Sequence, residues 1–306
     1  MKKRILLILL FLFIAFSNLI AATDSELKHH FLVLSNEDVK YSDQHEIATE
    51  KLVKHGSDAV DLALEFMDRD SPSIRKSIEI VTRGVGKDAV GALLYILAST
   101  DEDKAAFAAN LLGEIGDSRA EVPLMLASKS SSYMVRSAAI GALGGCGDTA
   151  AISVLIEALG DTISEIRRNA ATSLGKLGNE RGLPQLIELL DDRDYGVRYA
   201  ASYAIASIDG DKIIDTLIIR LESDSISQQE KYHIIETLGL TRNPRVSEYL
   251  LELLESPIYL ERGYACQALG YLRGDYRVVN ALKRCLDDAS AFVRMMARNA
   301  LKSIHG

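Results

Sequence analysis

From Asp161 to Asp191 the chain reads DTISEIRRNAATSLGKLGNERGLPQLIELLD, and its apolar positions fall three and four residues apart. Ile166, Ala170, Leu174 and Leu177 make one face of a helix. Asp161 is placed to cap its start. Gly178 and Asn179 end it, since both tolerate a left-handed backbone. A second helix follows with Pro184 in its first turn, where a missing N–H costs little, and with Leu183, Leu186, Ile187 and Leu190 as its apolar stripe. Two helices this short cannot cover each other's apolar faces, so the unit predicts further copies stacked on it.

Those copies are present. With Arg167 as the reference, the same slot holds Ala105, Arg136, Arg198, Lys231, Arg262 and Arg294, at spacings of 31, 31, 31, 33, 31 and 32 residues. Three positions on stand Ala108, Ala139, Ala170, Ala201, Ile234, Ala265 and Ala297, which are small with one exception. Seven positions on stand Leu112, Leu143, Leu174, Ile205, Leu238, Leu269 and Leu301, followed by Gly113, Gly144, Gly175, Ala206, Gly239 and Gly270. Six positions before the reference lie Ser130, Asp161, Asp192, Ser225, Ser256 and Asp288, read as helix N-caps, with Pro257 as a first helical residue. Such columns predict small residues where neighbouring helices approach and large apolar ones in a shared core.

The columns resemble the HEAT-repeat family, in particular its short HEAT-like variety of the bilin-lyase type. The likeness rests on Val135-Arg136, Ile166-Arg167, Val197-Arg198 and Val293-Arg294 with the alanine, leucine and glycine columns that follow each. It implies an all-α, right-handed α-solenoid of stacked two-helix repeats. It also implies that Arg136, Arg167, Arg198, Arg262 and Arg294 bind acidic or backbone groups at repeat junctions. Ala105 cannot do so, Lys231 does so only as a point charge, and Glu230 and Glu261 replace the usual apolar neighbour. Such repeats serve unrelated tasks, so the resemblance specifies fold and not activity.

The array is expected to comprise about eight helical pairs and a cap. Residues 41–100 read as degenerate N-terminal repeats, with His45 and Arg75 in the reference slot. Residues 101–288 carry the regular repeats of about 31 residues, and 289–306 supply a first helix without a second, a C-terminal capping helix. Residues 23–40 read as an N-terminal extension. Before them, Lys2, Lys3 and Arg4 precede an apolar run from Ile5 to Ser17, and Ile20, Ala21 and Ala22 lead into polar residues. This is the pattern of a signal peptide over 1–22. The run is short for a membrane span, so the expected destination is periplasmic or extracellular, with a membrane tether if the signal is retained. No stable insertion is expected after cleavage.

Charge narrows the partners. The chain has 35 Lys and Arg against 43 Asp and Glu, and without the leader's three cations the net charge is −11. An acidic chain without a basic run is a poor nucleic-acid binder.

Little catalytic chemistry can be assembled. One HEAT-like enzyme class, the deoxyhypusine hydroxylases, holds a di-iron centre through several His-Glu pairs; here His45-Glu46 is a single pair. The glycines at 141, 144, 145 and 147 lack the preceding strand of a dinucleotide site. Cys146, Cys266 and Cys285 are odd in number; Cys146 sits in an apolar column, and ideal antiparallel helices leave Cys285 nearly a turn away from Cys266. No catalytic residue, cofactor or metal ligand is assigned.

Two surface features remain. Nine of the twelve tyrosines lie between Tyr195 and Tyr276, and Tyr199, Tyr203, Tyr232 and Tyr271 fall near one slot of successive repeats, which predicts an exposed aromatic row. On the second helices, Glu157, Glu188 and Glu252 share a column, which predicts an acidic concave face. The sequence therefore points to an exported scaffold that binds another protein through one of these faces. The alternatives are a lyase- or hydroxylase-type enzyme or enzyme subunit, and a self-associating structural component of the envelope.

Overall fold

The structure is a computed structural model that describes residues 24–38, 41–68, 71–208, 211–223, 225–272 and 275–305. The signal-peptide segment lies outside the described residues. Among those described every regular element is helical. The chain forms two compact units, 1–123 and 124–306.

In the first unit α1 covers 24–34, α2 Ser42–Lys54, α3 Ser57–Glu65, α4 Pro72–Val85, α5 Val90–Leu97 and α6 Glu102–Ile115. Helix α2 packs on α4 and α4 on α6. Helix α1, in the stretch read as an extension, is a packed element: Leu27 and Phe31 are fully buried, and the Phe31 ring lies 4.9 Å from that of Phe66. His45 occupies the arginine slot and places Nε2 2.9 Å from the Asn36 carbonyl, so the imidazole donates to a loop carbonyl there.

The unit boundary falls inside α7, Glu121–Ala127. The second unit continues with α8 Tyr133–Cys146, α9 Thr149–Ala158, α10 Ser164–Leu177, α11 Leu183–Glu188, α12 Tyr195–Ser207, α13 Asp211–Leu221, α14 Gln228–Leu240, α15 Val246–Leu253, α16 Tyr259–Leu269, α17 Tyr276–Arg284 and α18 Ala291–His305. The first helices stack in sequence order, α8 on α10, α10 on α12, and so on to α18. This is the all-α solenoid arrangement of stacked helical pairs.

The glycine column sets how closely these helices approach. A Cβ at Gly175 would stand 2.8 Å from the Ala204 Cα, and one at Gly239 2.5 Å from the Ala268 Cα. Any side chain there would collide with the next helix's backbone. Ala139, Ala170, Ala201 and Ala265, with Leu143, Leu174, Ile205 and Leu269, are fully buried beside this contact. Where Gly178 ends α10 its φ is 61°, the left-handed conformation that glycine adopts without penalty.

The helix starts differ from the sequence reading. Helices α8, α10, α12, α14 and α16 begin after Ser132, Ile163, Asp194, Ser227 and Ile258, two residues later than the cap column. Pro257 accordingly lies in the turn and not in α16. In that column Asp161, Asp192 and Asp288 accept the N–H two residues on at 2.7–2.8 Å, and Ser130 and Ser256 do so at 3.1–3.2 Å. These are Asx- and Ser-type turns. The turn uses one carboxylate oxygen for the local bond and leaves the group facing the preceding repeat. Asn179 has φ −102° and is not left-handed; its side chain accepts the Arg181 N–H.

Candidate partner-binding face

The arginine column ties each repeat to its own entry turn and to the next. Arg167 donates from Nη1 to the carbonyls of Asp161 and Thr162, and forks onto both carboxylate oxygens of Asp192 at 2.7 and 2.8 Å. Arg262 repeats this with the Ser256 carbonyl and with Asp288. Arg136 donates to Ser130 and Ser131 carbonyls with Asp161 at 3.5 Å, Arg198 to Asp192, and Arg294 to Asp288 and Ala289. Burial alone would raise the Asp192 pKa; the Arg167 fork and the Asp194 N–H outweigh it and hold the group below the usual carboxylate range.

Departures from the column compensate one another. Where Ser225 and Ser256 replace the acid, Glu230 and Glu261 appear just before the next reference residue, and both are buried. Glu261 accepts from Ser256 Oγ and pairs with Lys231 at 2.6 Å. Glu230 takes the fork of Arg220. Arg198, left without an acid ahead, donates from Nε to His233 Nε2 at 2.9 Å. Ala105 needs no acid ahead of it, and the place is Ser130.

The exposed side of the first helices in the second unit carries two groups of aromatic residues. On α12 the Tyr199 and Tyr203 rings lie 4.5 Å apart and Tyr195 lies 6.3 Å from Tyr199, with Arg198 over the Tyr195 face. Tyr199 and Tyr203 are each 42% exposed. Hydrogen bonding to Tyr199, then partial burial, pushes the Tyr203 hydroxyl above its ordinary range. The second group joins Tyr232, stacked on Tyr264 at 4.8 Å and 10°, to Phe292 and Tyr259. Phe292 fills the space opened by Gly263, which holds the slot of Tyr199 and Tyr232. Thus Tyr232 is half-buried in a stack, while Tyr271 lines a separate hollow beside Gln267 and Met296. Tyr271 nonetheless adds to the upward shift of the Tyr203 hydroxyl.

A hollow of about 560 Å³ lies between α10 and α12, with Tyr199 and Tyr203 as one wall. Its floor is Gly175, Ala200 and Ala204, so the glycine that permits close helix packing also opens the surface depression.

Glu157, Glu188 and Glu252 are exposed on α9, α11 and α15. The corresponding place on α13 is Ile219, 68% exposed, and on α17 it is Lys283, so the acidic column is interrupted. Cys266 and Cys285 are free thiols within hydrogen-bonding reach, because the 3₁₀ turn Cys285–Asp287 carries Cys285 back past the end of α17. Their hydrogen bond, followed by burial, raises Cys266, and the same bond lowers Cys285. Among the described residues no three His, Cys, Asp or Glu stand together as a metal site.

The family model for HEAT repeats matches residues 90–171, 122–206, 154–239, 184–262 and 214–302. The chain belongs to the HEAT-repeat family. No curated protein matches it. Among solved structures it is similar to the CpcE–CpcF complex of phycocyanin lyase from Nostoc, at 21% identity over 70% of this chain and 94% of that one, TM-score 0.42. It is also similar to YibA of Escherichia coli, at 22% identity over 83% and 95%, TM-score 0.49. Human deoxyhypusine hydroxylase is similar at 21% identity over 85% and 98%, TM-score 0.37. These are likenesses of fold alone.

Proposed function

We propose that this chain is an exported scaffold that binds another protein and performs no catalysis itself. The observation that carries the reading is the pair Tyr199 and Tyr203, two rings in contact and in water beside a preformed hollow on a rigid stack. Tyrosine offers large apolar area with few rotamers to freeze and a polar tip, the usual composition of a binding anchor. HEAT repeats in general mediate protein interaction, and the leader-like start supports export. The opposing acidic column is a weaker anchor because Ile219 and Lys283 interrupt it.

The test is capture of a partner from the native envelope by wild-type protein, repeated with Tyr199→Ala/Tyr203→Ala and with Glu157→Gln/Glu188→Gln. Loss of roughly 2 kcal/mol or more of binding in the tyrosine variant is expected. Unchanged affinity there, with loss in the glutamate variant, moves the site to the second helices. Stoichiometric iron or zinc in purified protein would overturn the non-catalytic assignment, and N-terminal sequencing of the mature chain checks the leader.

A further inference from the structure

The hollow between α10 and α12 has a second wall. Arg168, Thr172 and Lys176 lie along one stripe of α10 and face Tyr199 and Tyr203 across the small-residue floor. Arg167, the neighbour of Arg168, is committed to Asp192. Arg168 and Lys176 themselves are exposed and form no ion pair among the described residues. No carboxylate lines the hollow, in a chain where acids outnumber bases by 43 to 35. Asp194, whose Oδ1 lies close to Gly196 at the rim, caps α12 through the Val197 N–H, and Glu165 on α10 accepts from Ser137 Oγ.

We propose that this groove receives an extended, acidic segment of the partner protein, an inference that rests on the scaffold reading above. The two cations are eight residues apart on one helix, roughly 12 Å at 1.5 Å per residue. An extended chain spans that distance in about four residues, so carboxylates spaced by four can meet both cations while an intervening aliphatic side chain lies against the tyrosine rings. Charge complementarity favours an acidic occupant over a basic one. The floor favours peptide over anionic glycan: its Cα and methyl groups suit an aliphatic side chain and offer nothing to sugar hydroxyls, whose burial without partners is unfavourable.

The experiment measures fluorescence anisotropy of a labelled peptide of glutamates and prolines around a central leucine, titrated with the full mature chain at low and moderate salt. A lysine-for-glutamate peptide and polygalacturonate are run beside it. The acidic peptide is expected to bind with affinity that falls as salt rises. Arg168→Gln/Lys176→Gln should weaken it by about tenfold or more with an unchanged melting temperature, Arg168→Lys/Lys176→Arg should restore it, and Glu157→Gln/Glu188→Gln should leave it unaltered. Equal binding of the lysine peptide, binding of polygalacturonate in place of the acidic peptide, or indifference to the Arg168→Gln/Lys176→Gln change each overturns the inference. The captured partner separates the two proposals: release by the tyrosine variant but not by the Gln pair overturns the acidic segment and keeps the scaffold, retention by both overturns the groove as the partner's site, and failure of the wild-type chain to capture any partner overturns the scaffold reading.

Discussion

Between α10 and α12, a glycine meets an alanine backbone and a buried arginine forks onto a buried aspartate. Between α12 and α14 the same places hold Ala206 and Thr237, the small column is interrupted by Ile234, and Arg198 donates to a histidine. The repeat spacing there is 33 residues in place of 31. The first junction relies on close packing with one strong charge pair. The second relies on a buried polar cluster of His233, Glu230 and Glu236. A repeat can thus lose its small column and its acid if other buried polar groups take over the arginine.

The two junctions should differ most at their arginines. Arg167 and Asp192 have side chains only 7% and 9% exposed, so Arg167→Met leaves a carboxylate buried without its cation and should cost about 3–5 kcal/mol. Arg198→Met leaves the His233 Nε2 and the Asp192 carbonyl without their donor but strands no carboxylate, at about 1–3 kcal/mol. Urea unfolding of both variants checks the order; equal losses would mean that the junctions are energetically alike.

Packing gives the next contrast. Gly175→Ala must move two backbones apart and should cost roughly 1–3 kcal/mol. Ala206→Gly relieves nothing and costs about 1 kcal/mol or less through helix propensity. Thermal melts of the pair decide whether the glycine column governs helix approach.

Acid sharpens the contrast. Asp192 has its folded pKa lowered, so its contribution is present above the unfolded pKa and is lost as pH falls through the folded one. Wild type should therefore exceed Asp192→Asn in stability at neutral pH, with the gap closing below about pH 4. Asp288 is lowered as well, chiefly by the Arg262 fork, so part of the acid sensitivity should survive in Asp192→Asn. A gap that stays constant down to low pH would show that the Asp192 charge contributes nothing.

The repeat period, the packed columns and the arginine slot were all legible because each recurs, and recurrence is visible without coordinates. What recurrence cannot convey is a two-residue shift shared by every copy. Asp161 and Asp192 satisfy the composition of a cap and of an Asx-turn equally, and only backbone geometry separates them. Helix α1 is not legible in the repeat pattern, because Leu27 and Phe31 belong to no column. Slot equivalence predicts a tyrosine row, yet rotamers assign Tyr232 to a stack with Tyr264. The cationic wall of Arg168 and Lys176 was hidden because the two residues belong to one repeat while the tyrosines facing them belong to the next.

The smallest expected effect tests what the irregular junction requires. His233 Nε2 accepts from Arg198 Nε, so the other ring nitrogen, Nδ1, carries the proton in the neutral ring and stands 3.4 Å from Glu236. If the junction needs only an acceptor at that point, His233→Gln supplies an amide oxygen of similar reach, and the loss should stay within about 1 kcal/mol, the net contribution of one hydrogen bond. His233→Leu keeps the volume and removes the acceptor, leaving the Arg198 N–H unanswered in a largely buried place, and should cost about 1–3 kcal/mol. Denaturant unfolding of the two variants beside wild type reads the difference directly. Equal losses would mean that the imidazole acts through its shape, packed 6.2 Å from the Tyr195 ring, and that Arg198 at this junction needs no partner ahead of it.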